Sequence, residues 1–543
     1  MIQISVIILT EGRGERLFAS LETLTDQTLE PVDFEAILVA YMIEGLDEDL
    51  ERMSLPFSCK VVRPANFFSS EALLRGVEEA RGRFCLFLQE GQRAVPELLA
   101  EHLSLQSATG GAVGVGRVTY HPVAGSGWYA RQYGHWQNQQ AEAICKGESA
   151  INFTACSNLN FSAPRAAILN ADITSNDGCE SAGIELAFWL TNNGLRCIYI
   201  PGAASVREEH RSFAALARET TLCGASAVRL WRRHPEMLGG LFGHFYDTSL
   251  RGVILRRFLL WLGILPVWIG PIGPLLRDSA LGREWFKFLH NFCYWYGVKR
   301  ELRERLTWRS LTYGTPILMY HAFCRADERA SRYILPQRRF AWQMALLKIL
   351  GYHTITLEEY LEALTTYSLV PDRSLVITMD DGYRDNFELA FPVLHRLGFS
   401  ATVFLVAGGL GKNNNWDQDS QLTGRPIISA SQAHELQRAG ISLGSHTCSH
   451  PTLTDIFPES WDEIKKSKVD LEHEFGKPVQ TFAYPHGIYN PSILEQVKQA
   501  GYLGACGVER GLNTPAAPQF ALYRSEILGT TSLSKFLVAV WMG

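Results

Sequence analysis

The chain has 543 residues, too many for a single hydrophobic core, and this length predicts two or three domains. Its formal net charge is only -5 and it has no long basic run, which argues against a nucleic-acid-binding protein. The 11 cysteines include no CxxC pair, which argues against a disulfide framework or a structural zinc site and indicates reduced thiols in the cytosol.

The first half of the chain alternates short apolar runs with helical patterns. This rhythm predicts an α/β domain with a mainly parallel sheet. The N-terminal run MIQISVIILTEGRGE lacks a basic region and a small-residue cleavage site, so it is interpreted as a first strand and not as a signal peptide. The predicted strands are residues 4–9, 36–41, 84–88 and 196–200, and the predicted helices are residues 16–24, 70–80 and 184–192.

Residues 258–276 form a run of 19 residues without a charge, directly after Arg256 and Arg257. The run is long enough to span a membrane, but its three prolines and three glycines break a straight helix. Three interpretations stay open: a segment lying in a membrane interface, a full span, and a buried connector. Nearby tryptophans and tyrosines favour the interface, although aromatic residues also pack domain junctions. Because the N-terminal run is not interpreted as a signal peptide, we expect a position at the cytosolic face of the membrane. A full span would place the rest of the chain on the other side.

After a charged helical stretch the strand–helix rhythm resumes and continues to the end of the chain. We therefore predict an N-terminal domain at 1–240, a connector at 241–305 and a C-terminal domain at 306–543. Repeated strand–helix units over this last part favour a barrel-type sheet wrapped by helices. Its predicted strands are residues 317–320, 375–378 and 402–406, and its predicted helices are residues 340–350, 387–397, 431–439 and 491–500.

Two apolar strands of the C-terminal domain run into residues that suit a metal site. The run LVITMDDGY ends in Asp380 and Asp381, and ISLGSHTCSH contains His446 and His450. Carboxyl ends of strands are where α/β folds build active sites. The i, i+4 spacing of the histidines predicts two imidazoles on one helical face, and neutral imidazole suits zinc. Taken singly, each run also fits an ordinary turn or a structural histidine.

A third run, FAYPHGIY, places Tyr484, Pro485 and His486 in a tight loop after another strand. Such a loop can direct a backbone N–H at a substrate, although by itself it is a simple turn. In the polar stretch NNNWD, Trp416 and Asp417 are candidates for sugar contact, because an indole face stacks on a pyranose ring. Local packing of Trp416 is the alternative.

Together and in this order, the three runs resemble the polysaccharide deacetylase family, the NodB-type carbohydrate esterases. The resemblance extends from GTPILMYH at 314–321 through SATVFLV at 400–406 to YRSEIL at 523–528. It implies a distorted (β/α) barrel and the metal-dependent hydrolysis of an N-acetyl group on a sugar.

The roles of individual residues follow from this resemblance position by position. Asp381, His446 and His450 match the metal ligands, with zinc as the default metal. Asp380 matches the catalytic base. The resemblance further implies an oxyanion held by the metal and a backbone N–H, that of His486.

The chain departs from the family pattern in three places. Ala483 stands where the family has an arginine that orients the catalytic aspartate, and Arg524 is the candidate replacement. His486 stands where the family has a tyrosine. The late L-x-H motif, whose histidine protonates the leaving amine, is not visible, which makes His486 and His321 the candidate acids. Tyr484, Pro485 and Trp416 remain the candidate substrate contacts.

The N-terminal half resembles family-2 glycosyltransferases, which implies a GT-A fold with a Rossmann-type sheet. The resemblance rests on SVIILTEGRGERLFASLETLTDQTL, ALLRGVEEARGRFCLFLQEG and GIELAFWLTNNGLRCIYIPGA. The family's acidic pair, its D-x-D metal motif and its acidic base are replaced by residues 40–45, 89–92 and 182–183. These replacements imply a fold that has lost transferase activity. Part of the activity could be restored by three nearby acids, Glu90, Glu180 and Glu185.

Three functions compete. The first is deacetylation of an N-acetylated glycan during envelope or exopolysaccharide synthesis, alongside other glycan-synthesis proteins. The second is a bifunctional enzyme with an active transferase, which would hydrolyse a nucleotide sugar. The third is a glycan-binding scaffold without catalysis, against which the intact set Asp380, Asp381, His446 and His450 argues.

Overall fold

The computed structural model describes the chain except residues 1, 11–13, 41–44, 65–69, 124, 150, 175–178, 210, 247–249, 326–327, 329, 418–420, 516 and 543. Most of the 40–45 segment, where the family's acidic pair was sought, therefore lies outside the described residues. The chain divides into two compact units. The N-terminal unit comprises Met1–Leu241 and Phe245–Leu302, and the C-terminal unit comprises Phe242–His244 and Arg303–Gly543.

The N-terminal unit is built on one mixed sheet. β1 pairs in parallel with β2 and β4, and its apolar residues are buried on both faces, as in a sheet covered by helices on each side. β7 runs antiparallel to β4 and β6, so the sheet is less uniformly parallel than the sequence predicts. In space the order is β3-β2-β1-β4-β7-β6-β8-β5. The strands are β1 (Ile4–Thr10), β2 (Phe34–Ala40), β3 (Ser58–Val62), β4 (Phe84–Gln89), β5 (Gln92–Ala94), β6 (Val113–Pro122), β7 (Phe161–Pro164) and β8 (Cys197–Glu209).

Helices cover both faces of this sheet and then continue through the region predicted as a connector. The long helices α8 and α13 pack closely, because Gly224 has no side chain. A Cβ at this position would lie 2.0 Å from the Tyr294 carbonyl oxygen. The helices are α1 (Glu15–Thr25), α2 (Leu46–Met53), α3 (Ser70–Glu78), α4 (Leu98–Thr109), α5 (Trp128–Cys145), α6 (Arg165–Leu169), α7 (Cys179–Asn192), α8 (Phe213–Arg233), α9 (Leu238–Phe242), α10 (Leu250–Leu262), α11 (Pro266–Ile269), α12 (Ile272–Leu275) and α13 (Ala280–Leu302).

The uncharged run 258–276 is broken into separate helices. α10 ends before Gly263, which has a φ of +71°, and Pro266 begins α11 because proline fits the first turn of a helix. Within the part of the chain that the structure describes, no helix is both long enough and apolar enough to cross a membrane.

The C-terminal unit is built on a curled sheet whose strand pairings are all parallel. The order is β17-β16-β15-β14-β13-β9-β18, with β12 also beside β13. The Leu522 amide donates to the Ala505 carbonyl at 2.9 Å, which brings the chain entering β18 against β17 and draws the two edges of the sheet together. The strands are β9 (Ile317–Tyr320), β10 (Ala322–Cys324), β11 (Ile334–Pro336), β12 (His353–Thr354), β13 (Ser374–Met379), β14 (Thr402–Leu405), β15 (Ser442–Ser445), β16 (Thr481–Ala483), β17 (Gly504–Cys506) and β18 (Ser525–Glu526).

Helices surround this sheet at the predicted places, with one difference. The predicted helix at 387–397 is a π-helical turn, Asn386–Ala390, followed by a short α-helix that carries a proline in its first turn. The helices are α14 (Arg305–Tyr313), α15 (Gln337–Ile349), α16 (Leu357–Thr365), α17 (Phe391–Leu397), α18 (Ala430–Arg438), α19 (Ser460–Phe475), α20 (Pro491–Gln499) and α21 (Leu533–Met542). Because the strands are parallel, the residues that follow β9, β13, β15 and β16 meet at one end of the sheet.

Candidate active site

Asp380, the first residue after β13, is held by a buried arginine. The Arg524 guanidinium donates to both carboxylate oxygens of Asp380, at 2.7 and 2.8 Å, and its Nε donates to the Gly507 carbonyl at 2.8 Å. Both side chains are buried. Burial alone would raise the pKa of Asp380, but Arg524 and the neighbouring histidines hold this pKa below its usual value. Arg524, directly before β18, thus makes the contact to Asp380 that was expected of the arginine missing at Ala483.

Asp381 turns away from Asp380 because its backbone takes a left-handed conformation, with a φ of +70°. Its Oδ1 lies 3.4 Å from His446 Nε2 and 3.2 Å from His450 Nε2. Burial would raise the pKa of Asp381, but the two imidazoles hold it well below its usual range. Two adjacent carboxylates therefore have different partners, one an arginine and the other two histidines.

The two histidines are not on a helix, which corrects the prediction drawn from their spacing. Residues 446–450 form a loop after β15, because the Glu463 carboxylate accepts the N–H groups of Cys448 and Ser449 at 2.8 and 2.9 Å. These bonds satisfy the backbone without a helical turn. The imidazole rings of His446 and His450 still meet, with centroids 4.8 Å apart.

The three side chains fit a divalent cation. His446 Nδ1 lies 2.7 Å from the Ala483 carbonyl oxygen, so in the neutral ring Nδ1 donates its proton there and the lone pair of Nε2 faces Asp381. A cation between Nε2 and the buried carboxylate, either a proton or a metal ion, removes the repulsion between this lone pair and Asp381. Ligands at ~2.0–2.1 Å from a tetrahedral zinc are roughly 3.3 Å apart, close to the measured 3.2 and 3.4 Å. Asp381 Oδ1 is also buried without a hydrogen-bond partner.

Known proteins match this part of the chain. The family model for polysaccharide deacetylase matches residues 369–505, which include Asp380, Asp381, His446 and His450. The C-terminal unit carries a polysaccharide deacetylase domain. The chain is 29% identical over 222 residues to the putative polysaccharide deacetylase YxkH of Bacillus subtilis, covering 41% of this chain and 74% of that protein.

Two further relatives match the deacetylase domain. A poly-beta-1,6-N-acetyl-D-glucosamine N-deacetylase of Staphylococcus aureus is 26% identical over 282 residues, covering 49% of this chain and 84% of that protein. The structure of the Streptococcus pyogenes deacetylase PplD in complex with acetate is 26% identical, with a TM-score of 0.37, and covers 42% of this chain and 98% of that one. The matched family indicates a carbohydrate N-deacetylase.

A cleft of about 340 Å³ opens over these residues in the deacetylase domain. His321 and His486, both candidate acids, lie on its wall. The His486 ring centroid is 4.6 Å from that of His450, and burial, then the charges of His450 and His446, lower the pKa of His486. Four polar lining residues were not predicted: Arg332, Tyr333, Arg510 and Glu526. The first three adjoin no recognisable motif, whereas Glu526 lies in YRSEIL, two residues after Arg524.

Of the predicted substrate contacts, Tyr484 lines the cleft, whereas Pro485 and Trp416 are not among its described lining residues. The Tyr484 ring is fully buried, stacks on Tyr489 at 4.5 Å and donates its hydroxyl to the Phe520 carbonyl at 2.9 Å. Pro485 is buried and starts the turn that carries His486. Trp416 packs behind the site, with its ring centroid 5.7 Å from that of His450. These residues hold the loops in place, and only Asp417 of the NNNWD stretch lines the cleft.

An ion pair that the sequence did not reveal supports the first loop of the site. Arg425 Nε donates to Asp385 Oδ2 at 2.7 Å, and Asp385 Oδ1 accepts the Phe323 N–H at 2.7 Å. Burial raises the pKa of Asp385 to about 6 even though Arg425 opposes this shift. The pair ties the π-helical turn to the segment after β9. The third aspartate in DDGYRD was the available signal.

The N-terminal unit places the residues aligned with transferase chemistry in other contacts. Arg207 donates to Gln89 Oε1 at 2.6 Å, and Gln92 donates to the Asn158 carbonyl at 2.6 Å. Glu90 is hydrogen-bonded to Thr10. Glu185 is 0% exposed and pairs with Arg233 at 2.8 Å. Nothing is described for the side chain of Glu180, the remaining acid.

Proposed function

We propose that the deacetylase domain hydrolyses N-acetyl groups on a polymeric sugar, with zinc held by Asp381, His446 and His450. The strongest support is the convergence of these three donors beside Asp380, a carboxylate fixed by Arg524. The printed name of the staphylococcal relative gives poly-beta-1,6-N-acetyl-D-glucosamine as the polymer on which that protein acts. We propose an N-acetylated polymer of the same class here, in envelope or exopolysaccharide synthesis.

Different residues carry out different steps of the proposed hydrolysis. When bound, a divalent cation supplies the Lewis-acid chemistry that prepares an acetamide carbonyl for attack by water. Asp380 accepts the proton of the attacking water, and Arg524 leaves a lone pair free on each carboxylate oxygen while fixing the direction of the group. The backbone N–H of His486 stabilises the developing oxyanion. The C–N bond then breaks, and the departing amine takes a proton from His321 or His486.

The shape of the domain supports a polymer in preference to a single sugar. A second hollow of about 250 Å³ adjoins the cleft and shares Arg510 and Glu526 with it. It continues along α21, where Thr531, Ser534 and Lys535 offer groups that hydrogen-bond to sugar hydroxyls. We propose that neighbouring sugar units occupy this hollow. The kcat/KM should rise with oligomer length, and Ser534→Phe, which fills the hollow, should reduce that rise.

Acetate release from N-acetylglucosamine oligomers tests the proposal. The purified chain is stripped with a chelator, assayed with and without added zinc, and compared with Asp380→Asn. Loss of a general base lowers the rate by about 10²–10⁴-fold. Asp470→Asn, the same change on the exposed face of α19, is the matched control. Release that needs no metal, or that survives in Asp380→Asn, would contradict the assignment.

We further propose that the N-terminal unit is a GT-A-like domain without transferase activity. Glutamine at position 89 cannot offer the charge that a divalent cation requires against a diphosphate, and Arg207 already occupies its oxygen. Glu185 is fully buried in an ion pair, which removes it as a base. The full chain should therefore hydrolyse no uridine diphosphate sugar. Turnover of such a donor would favour the bifunctional alternative.

A further inference from the structure

The helix α10 of the N-terminal unit turns an apolar stripe to the outside. Its exposed side chains recur at helical spacing, at Ile254, Phe258 and Trp261, and Trp261 is 75% exposed. On the opposite side of the helix, Val253 and Leu260 are buried. A surface helix in water normally presents polar residues outward, so this helix has the arrangement expected of one whose outer face meets an apolar medium.

The helices that follow expose further apolar side chains, and α11 and α12 pack against α13 as α10 does. Trp268 is 65% exposed, and Leu275 is 79% exposed. Single exposed apolar side chains are common, whereas contiguous patches mark a protein or membrane contact. We name this surface the apolar face and define it as Ile254, Leu255, Phe258, Trp261, Leu262, Val267, Trp268, Ile272, Leu275 and Leu281, all exposed.

The charges around the apolar face identify what covers it. Residues 250–287 contain six arginines and lysines but only two acids, and residues 258–276 contain no charge. One of the six, Arg256, is fully buried and does not contribute to the surface, which leaves five basic residues against two acids. Of the two acids, Asp278 lies 3.3 Å from Arg131 and Glu284 lies 3.2 Å from Lys287. The margin therefore keeps a positive excess. Tryptophan prefers the level of the lipid headgroups, and cationic margins are attracted to anionic lipid.

We infer that the apolar face lies on an anionic lipid bilayer, with its short helices in the interface plane and the arginines against the headgroups. A helix of this kind buries its apolar side at the boundary of headgroups and acyl chains without spanning. A second copy of the chain is a poorer fit. A two-fold symmetric contact would bring the positive margins of the two copies close together, and like charges repel.

Vesicle binding tests this inference with the full chain. Sedimentation with phosphatidylglycerol-containing vesicles should bring down the wild-type chain, and pure phosphatidylcholine vesicles should bring down at least tenfold less. The double variant Trp261→Glu, Trp268→Glu should lose at least tenfold in binding. Trp342→Glu, at a tryptophan that is 47% exposed in the C-terminal unit, is the matched control and should bind as the wild type does. Circular dichroism and acetate release from soluble oligomers should be unchanged in all three.

Two results would overturn the inference. One is an absence of binding to any vesicle, whether the chain is a monomer or an oligomer. The other is a dimer in analytical ultracentrifugation that the double variant, but not Trp342→Glu, dissociates, since this would assign the face to self-association. Because acetate release is measured separately, failure here leaves the proposed reaction intact.

Discussion

The buried pair of Asp380 and Arg524 yields a prediction that a double-mutant cycle can test. Asp380→Leu or Arg524→Met alone leaves one charge buried without its partner, which costs about 3–5 kcal/mol. In a domain of this size each kcal/mol lowers the melting temperature by ~2–4 °C, so each single variant should melt about 6–20 °C lower. The double variant removes both charges of this pair, so neither is left buried without its partner. We expect it to be at least as stable as either single variant.

Calorimetry of the full chain with a chelator present measures this cycle without the metal. Only the transition of the deacetylase domain should move, and the transition of the N-terminal unit then acts as an internal control. The pair Arg309 and Asp372, with side chains 19% and 15% exposed and 3.1 Å apart, offers a comparison cycle. Its coupling should be ~1 kcal/mol or less. Additivity within about 0.5 kcal/mol at Asp380 and Arg524 would refute the pairing and the positioning role of Arg524.

Three further changes test other parts of the structure. His450→Ala removes one donor, so zinc content after dialysis, measured by atomic emission, should fall far below that of the exposed control His473→Ala; equal contents would reject the ligand set. Burial lowers the pKa of His102 to about 4 from a usual 6.5, so the folded state binds this proton less readily than the unfolded state. Stability should fall by about 3 kcal/mol between pH 6.5 and 4, as denaturant unfolding reports, and His102→Gln should lose this component. Gly444→Ala places a Cβ 2.5 Å from the Phe404 ring and should destabilise the domain by about 1–3 kcal/mol; an unchanged melting temperature would contradict this packing.

Much of the candidate site can be predicted from the sequence, because its residues follow apolar strands that run parallel. Asp380 and His446 each come directly after such a strand, and parallel strands end at one edge of a sheet. The pairing of Asp380 with Arg524 joins positions 144 residues apart, and only the missing arginine of a known motif pointed to it. Elements with strong periodicity, such as β1, β13, α18 and α20, were also predictable, whereas β6, β7 and α8 were not predicted.

The directions of loop side chains could not be predicted in the same way. Tyr484 lies two residues before His486 and Trp416 directly before Asp417, yet both rings pack against the domain. A one-dimensional pattern does not distinguish this orientation from one that points into the cleft. The spacing of His446 and His450 suggested a helix, but Glu463, 13 residues after His450 in the chain, satisfies the loop backbone instead. Such choices depend on partners that are distant or hidden in the sequence.

The bond between His446 and the carbonyl of Ala483 has a consequence for which residues the site tolerates. Every amino acid carries a carbonyl oxygen, so position 483 can orient the imidazole whatever its side chain is. The proposed metal site therefore constrains the path of the backbone at this position, while the buried Cβ of Ala483 constrains only the volume. Position 483 can therefore lack the charged side chain, which Arg524 provides from another part of the chain, and its carbonyl oxygen still orients His446.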